Sequence, residues 1–268
     1  MALAACSTDD GSDDGGRTTV SASFFPLAEA ARQVGGDAVD VTDLTPPGVE
    51  PHDIELSADE VADVEDADVV VVLGAGFQPA VEEVADRRDG DTVVVLREAE
   101  ADPHVWLDPT EMQQIVDAVA AALADADPGN ASRYGEAAAQ YDAELATLDA
   151  EFEAGLADCD RDLLVTAHEA FGALAERYGL RQEGVTGVSP DQEPDPRRLD
   201  ELADLVEQEG VTTVFTEVLV SPAVAETLAR EVGVETAVLD PLESGAPGDY
   251  VPVMRANLGT LRTALGCR

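Results

Sequence analysis

The sequence predicts an α/β protein built as two halves around one long helix. Three observations carry that prediction. Strand-like hydrophobic runs alternate with helical stretches on both sides of the middle of the chain, with room for four strands in each half. The run Val69-Val70-Val71-Val72-Leu73 is apolar at every position, as in a parallel strand covered on both faces. Between the halves, Tyr134, Ala137, Ala138, Tyr141, Leu145, Leu148, Phe152 and Leu156 share one helical face of the stretch from Ala131 to Ala157. At 1.5 Å per residue such a helix is about 40 Å long, more than a single lobe needs.

Taken in order, Thr18 to Phe24 reads as the first strand, and Pro26 opens a helix that stops at Gly35-Gly36. Val39 to Leu44 is the second strand. It leads into Thr45-Pro46-Pro47-Gly48-Val49-Glu50-Pro51-His52, where the prolines restrict the backbone of the loop. Ser57 and Glu60 predict a capping box for a helix through about Glu65. The third strand, 67–73, meets Gly74-Ala75-Gly76. The full glycine fingerprint of a dinucleotide loop does not assemble there, so these residues read as a tight turn before a helix from Phe77 to Asp86. Thr92 to Leu96 is the fourth strand, and a short acidic connection then reaches His104. Asp108 reads as a helix cap and Pro109 as the first helical position of a helix running to about Ala126.

In the second half, strands are expected at Leu163 to Thr166, Leu180 to Gly187, Val211 to Phe215 and Glu235 to Leu239. A helix continues from His168 through Tyr178, a rigid loop runs from Ser189 to Pro196, and further helices cover Arg197 to Gln208, Ser221 to Val232 and Tyr250 to Leu265. The expected organisation is a tether over 1–16, a first lobe over 17–129, a linking helix over 130–157 and a second lobe over 158–268.

Composition narrows the partners. Among 268 residues there are 57 Asp and Glu against 15 basic residues, all of them Arg, for a net charge of −42. Such a surface repels nucleic acid and anionic membranes and attracts cations. No apolar run is long enough to cross a bilayer. Met1-Ala2-Leu3-Ala4-Ala5-Cys6-Ser7 looks like the cleavage end of a lipoprotein signal, whose basic and apolar parts would lie upstream of this start. It predicts a lipid on Cys6, with the Ser, Thr, Asp and Gly of Ser7 to Gly16 as a flexible tether. Outside the cytoplasm, Cys159 and Cys267 are open to pairing, but spacing alone does not decide between a bridge and two thiols.

The chain has three histidines, and each sits in a loop of similar character: Glu50-Pro51-His52-Asp53, Asp102-Pro103-His104-Val105-Trp106 and Thr166-Ala167-His168-Glu169. His104, His168 and Asp240 follow strands, on the side where open α/β sheets bind ligands. Three neutral imidazoles joined by one carboxylate make a nitrogen and oxygen cage suited to tetrahedral zinc. Glu169 and Glu217 are candidates to orient an imidazole through its second N–H, or else carboxylates facing water. Trp106, the single tryptophan, reads as packing beside the site, and Asp108 as a cap and not a ligand. Four protein ligands leave zinc no open position for an activated water, and the helix motif of two-histidine metalloproteases is missing. A binding protein is therefore expected, with a zinc-dependent hydrolase or a metal-binding surface adhesin as the alternatives.

Taken together, Pro51-His52, Pro103-His104-Val105-Trp106-Leu107-Asp108, Thr166-Ala167-His168-Glu169-Ala170-Phe171-Gly172, Ser189-Pro190 through Pro196, Thr216-Glu217 with Ser221-Pro222, and Asp240-Pro241-Leu242 resemble a known family. These motifs are similar to those of the metal-binding solute-binding lipoproteins of ABC importers for zinc and manganese, the cluster A-I or ZnuA-like and TroA-like proteins. The resemblance implies two pseudo-symmetric lobes, each a mainly parallel four-stranded sheet flanked by helices, with one long helix as backbone and metal held between the lobes. It places the four metal ligands on His52, His104, His168 and Asp240. His168 stands where manganese members tend to carry Glu, which agrees with Zn2+ as cargo and makes Mn2+ the less favoured metal. It further implies an ABC permease and ATPase as partners, and a monomer held by lipid at the outer face of the cell membrane. One departure is the lack of histidine between Asp53 and Pro103, where zinc members often carry a histidine-rich loop.

The charge excess predicts adaptation to salt. With the Debye length shrinking from about 10 Å at 0.1 M to about 3 Å at 1 M, the melting temperature is expected to fall as salt is withdrawn; thermal unfolding followed across a NaCl series checks this, and a salt-independent midpoint contradicts it.

Overall fold

The computed structural model describes residues 16–96, 102–190, 195–246 and 248–268. The expected lipid site at Cys6, nearly all of the tether, part of the acidic connection before His104 and the centre of the 189–196 loop lie outside the described residues.

Two four-stranded parallel sheets form, one in each half. The first contains β1 (Thr18–Ala22), β2 (Val39–Asp43), β3 (Val69–Gly74) and β4 (Asp91–Leu96) in the order β2-β1-β3-β4. The second contains β5 (Leu163–Thr166), β6 (Arg181–Gly184), β7 (Thr213–Thr216) and β8 (Glu235–Val238) in the order β6-β5-β7-β8. The orders are the same with the numbering advanced by four, so the two lobes are pseudo-symmetric, and all strand pairs are parallel. In both sheets the chain reverses its direction of winding beside the first strand, which opens a crevice past the carboxyl ends.

The uninterrupted apolar run of β3 has its expected cause. Val69, Val71 and Leu73 face a large central core, while Val70 and Val72 face a smaller one under α2 (Ala58–Asp66) and α3 (Pro79–Ala85). The same alternation divides β5: Leu164 joins the central core, and Leu163 and Val165 pack under α7 (Pro196–Glu209) and α8 (Ala223–Val232). Side chains from both lobes meet in the central core through α1 (Phe25–Gly35), α4 (Pro109–Ala126), α5 (Ala131–Leu156) and α9 (Tyr250–Leu265). α5 is the predicted long helix, 26 residues or about 39 Å, and seven of the eight face positions read from the sequence are buried, Ala137 only partly so.

Local signals account for most helix ends. The Ser57 and Glu60 side chains cap α2 reciprocally. Asp108 Oδ1 accepts from the Thr110 N–H at 2.8 Å, ahead of Pro109. At Gly74-Ala75-Gly76 all three residues have positive φ, and a Cβ at Gly74 would lie 2.2 Å from Leu96 O, so the first glycine is sterically required. The N–H groups of Gly76 and Gln78 donate to Glu82, at 3.0 and 3.1 Å. A carboxylate of the chain itself thus occupies donors that a nucleotide phosphate would need. One expected helix is shorter than read: α6 spans Gly172–Tyr178 and does not begin at His168. Residues before it are held in another shape, since Phe171 N–H donates to Gln182 and Thr166 Oγ1 and Gln182 Nε2 both donate to His168 O.

Cys159 and Cys267 are joined in a disulfide across 108 residues, which settles the open question about the pair. In the chain-entropy account, a crosslink over a loop of this size stabilises by about 4–5 kcal/mol. Reducing it, or replacing both cysteines by serine, is expected to lower the unfolding free energy by about that amount in denaturant titrations; an unchanged midpoint contradicts a stabilising bridge.

Candidate metal centre

Each sheet sends loops from its carboxyl ends into the crevice between the lobes. From β2, the proline-rich loop leads to a short helical turn at Pro51–Asp53 that carries His52. Beyond β4, His104 immediately precedes a similar turn at Val105–Leu107. His168 lies two residues after β5, and the chain beyond β8 carries Glu243. The four side chains can each offer one atom such that all four atoms lie within 4.8 Å of one another.

The geometry centres on one oxygen. Glu243 Oε1 is 3.6 Å from His52 Nε2, 3.6 Å from His104 Nε2 and 3.5 Å from His168 Nε2. These separations are too long for good hydrogen bonds. They match the edges of a tetrahedron whose centre-to-ligand bonds are about 2.0–2.2 Å, which run about 3.3–3.6 Å. All three Nε2 atoms and both Glu243 oxygens are buried without a hydrogen bond. Burying so many polar atoms unpaired is costly, and a divalent ion accepting a lone pair from each would remove that cost.

The opposite nitrogens are held by carboxylates. Asp102 Oδ1 lies 2.9 Å from His104 Nδ1 and also accepts the His104 N–H at 3.0 Å. Glu217 pairs with His168 Nδ1 and accepts the His168 N–H at 2.9 Å. Each contact fixes an imidazole so that Nε2 faces inward. Aromatic rings wall the site, with Phe77 at 4.3 Å from the His52 ring and Trp106 at 5.2 Å from the His104 ring, centroid to centroid.

The charges are strongly coupled. Burial pulls the His168 imidazole down, but Glu217 and Glu243 outweigh it and push its pKa up to about 10. His104 is raised in the same way, with Asp102 and Glu243 overcoming burial. Burial drives the Glu243 carboxyl up, yet the three facing imidazoles hold it well below the usual carboxylate range.

Of the expected ligands, His52, His104 and His168 are brought together, but Asp240 is not part of the cluster; Glu243 stands in its place. Asp240 is engaged in its own turn. Its Oδ1 accepts the Leu242 N–H at 2.8 Å, and its main chain exchanges two bonds with the Asn257 side chain. That turn sets Leu242 at φ 59°, a left-handed conformation uncommon for leucine, and the reversal brings Glu243 inward. Of the two candidate orienting carboxylates, Glu217 takes the role. Glu169 instead accepts from Gly184 N–H at 3.4 Å and lies 3.9 Å from Arg198. Sequence reasoning missed Glu243 and Asp102. The available signal for Asp102 was its place two residues before His104, the spacing of a side chain that accepts from the backbone ahead of it.

A cleft of about 920 Å³ opens beside the cluster, lined by His52, Phe77 and the carboxylates Asp102, Glu169, Glu176 and Glu183. His52 is the most accessible of the four, its side chain 10% exposed against 0–1% for the others.

Residues 20–264 match the family model described as "Zinc-uptake complex component A periplasmic", ZnuA. The chain belongs to the ZnuA family. Members of the ZnuA and TroA group are solute-binding proteins and not enzymes, so the hydrolase alternative is set aside. Among relatives, the chain is 31% identical over 300 residues to "High-affinity zinc uptake system protein ZnuA" of Bacillus subtilis, covering 99% of this chain and 94% of that protein. It is 33% identical over 291 residues to "Zinc-binding lipoprotein AdcA" of Streptococcus pneumoniae, covering 97% of this chain but 58% of AdcA, so it spans little more than half the length of that relative. The crystal structure of Zn(II)-bound AdcA superposes with a TM-score of 0.80 at 34% identity, covering 93% of this chain and 58% of that one. The laminin-binding protein Lmb of Streptococcus agalactiae, titled a bifunctional protein with adhesin and metal transporting activity, superposes with a TM-score of 0.86 at 30% identity, covering 93% of this chain and 100% of that one.

Because His168 holds its proton above neutral pH in the metal-free ZnuA-family site and the carboxylates beside His104 raise it in the same direction, a metal that needs these lone pairs must displace protons. Binding at pH 7 is expected to release about one to two protons per ion, and affinity is expected to rise with pH toward about 10, where His168 deprotonates unaided. Calorimetry in two buffers of different ionisation enthalpy measures this; identical heats would contradict it.

Proposed function

We propose that the protein captures Zn2+ between its lobes on His52, His104, His168 and Glu243 and delivers it to the permease of an ABC importer. The observation that carries this is the single Glu243 oxygen facing three unpaired, buried imidazole nitrogens at 3.5–3.6 Å. Three nitrogens and one oxygen in near-tetrahedral spacing favour zinc over manganese, which prefers more oxygen ligands and higher coordination. Four protein ligands also shield the ion from water, which suits carriage and not catalysis. The names of the relatives, zinc-binding and zinc-uptake proteins, support the same cargo and the importer as the partner.

The setting follows from the same reading. No described helix is long and apolar enough to cross a membrane. A lipid on Cys6 would hold the protein, as a monomer, at the outer face of the cell membrane within reach of the permease. A disulfide is in keeping with such an oxidising location.

Anaerobic titration of the metal-free protein in high salt, with zinc and manganese in competition, tests the proposal. Zinc is expected to win. Removing one ligand with His168→Ala or Glu243→Gln is expected to weaken zinc binding at least about 100-fold, since the ion then recruits water and leaves a buried group unpaired, whereas Asp240→Asn is expected to stay far closer to the parent protein. Preference for manganese, or unaltered affinity in Glu243→Gln, would overturn the assignment.

A further inference from the structure

The segment bearing Glu243 is covalently part of the second lobe, entering from β8 and leaving into α9. Asn257 of α9 holds the Asp240 main chain from the second lobe, but the anchors from Pro241 onward are in the first lobe. Pro241 O accepts the Nε1–H of Trp106 at 2.7 Å, and the indole is fully buried. Ser244 Oγ accepts the Gly48 N–H at 2.7 Å. The Gly248 N–H donates to Glu29 Oε2 at 2.9 Å, and Glu29 itself is 1% exposed. Gly245 lies so near Phe25 that a Cβ there would come within 2.8 Å of the ring. Just beyond the segment, the Tyr250 hydroxyl donates to Trp106 O at 2.5 Å. Apart from Asn257, every one of these partners precedes α5 in the chain.

His168 is the opposite case. Its backbone and ring are held by Thr166, Gln182 and Glu217, all of the second lobe. We propose that Trp106 is the positioning residue of Glu243, so that the first lobe steadies three of the four ligands, its own His52 and His104 and the second lobe's Glu243, while His168 alone is held entirely by the second lobe.

The position of the indole bond makes this specific. It falls on Pro241, one residue before the left-handed Leu242 and two before Glu243, where the chain has no strand or helix to fix it. The indole cannot easily shift, because Phe24 packs on it edge-on at 4.7 Å and Phe77 at 5.6 Å. A ligand carried on a loop is placed to the needed fraction of an ångström only when its supporting groups are themselves locked.

This inference rests on Glu243 being a metal ligand, and the test separates the two. Co2+ serves as the probe in the full chain at high salt, because its visible absorption is intense in four-coordinate sites and weak when water raises the coordination number. Trp106→Phe keeps a ring and removes the donor. It is expected to weaken Co2+ binding about 10–100-fold and to dim the absorption, and to have little further effect when combined with Glu243→Gln. Gly245→Ala, which displaces the same segment from Phe25 and leaves Trp106 intact, is expected to reproduce the spectral change and decides the matter if Trp106→Phe does not fold. Should Glu243→Gln bind Co2+ with the parent's affinity and spectrum, the metal site assignment fails. Should Glu243→Gln lose the four-coordinate spectrum while Trp106→Phe and Gly245→Ala retain it, or should Trp106→Phe weaken binding equally with and without Glu243, the positioning role fails.

Discussion

The fold is organised around a concentration of buried charge that is unfavourable for the protein alone. Glu243 is 1% exposed and faces three imidazoles, two of which are themselves backed by carboxylates. In a low-dielectric interior, each of these groups stays charged or polar only because the others are held at fixed distances. The arrangement is complete as a set, and removing one member leaves the rest uncompensated. The surrounding structure therefore has to be rigid enough to keep loops from two sheets in register.

Rigidity comes from how the lobes share a core. α5 does more than span the gap, since its buried face belongs to the same apolar cluster as α1 and α4 of the first lobe and α9 of the second. Arg177 on α6 adds a polar tie, bonding Asp149 of α5 through two nitrogens while lying 3.9 Å from Asp108 at the start of α4. Asp102, which orients His104, packs so close to Gly172 that a Cβ there would lie 2.2 Å from its Oδ2. Elements of the second lobe thus bear directly on the carboxylate that aims the His104 imidazole of the first lobe.

Much of this was legible in the sequence because it depends on strong local signals. Apolar runs marked the doubly covered strands, Ser57 with Glu60 and Asp108 with Pro109 marked helix starts, and three histidines in similar loops marked the site. The fourth member of the cluster was not legible, for a physical reason. Asp240 and Glu243 are both carboxylates past the end of a strand, and the choice between them depends on Leu242 adopting φ 59°, a conformation that leucine does not advertise. The start of α6 escaped notice similarly, since the contacts that hold 167–171 out of a helix come from Gln182, on a neighbouring strand. The cysteine pair could not be decided from spacing because the meeting of Cys159 and Cys267 depends on α9 returning along α5.

That return has a topological outcome. With a covalent bond between Cys159, just past α5, and Cys267, just past α9, the second lobe begins and finishes at a single point. Tension applied at the carboxyl terminus passes through the bridge to the end of α5 and bypasses the ring of more than a hundred residues, whereas the first lobe has no comparable clasp among the described residues. Under mechanical load, unravelling should accordingly begin in the half that carries His52 and His104, leaving the looped half as the last part to come apart.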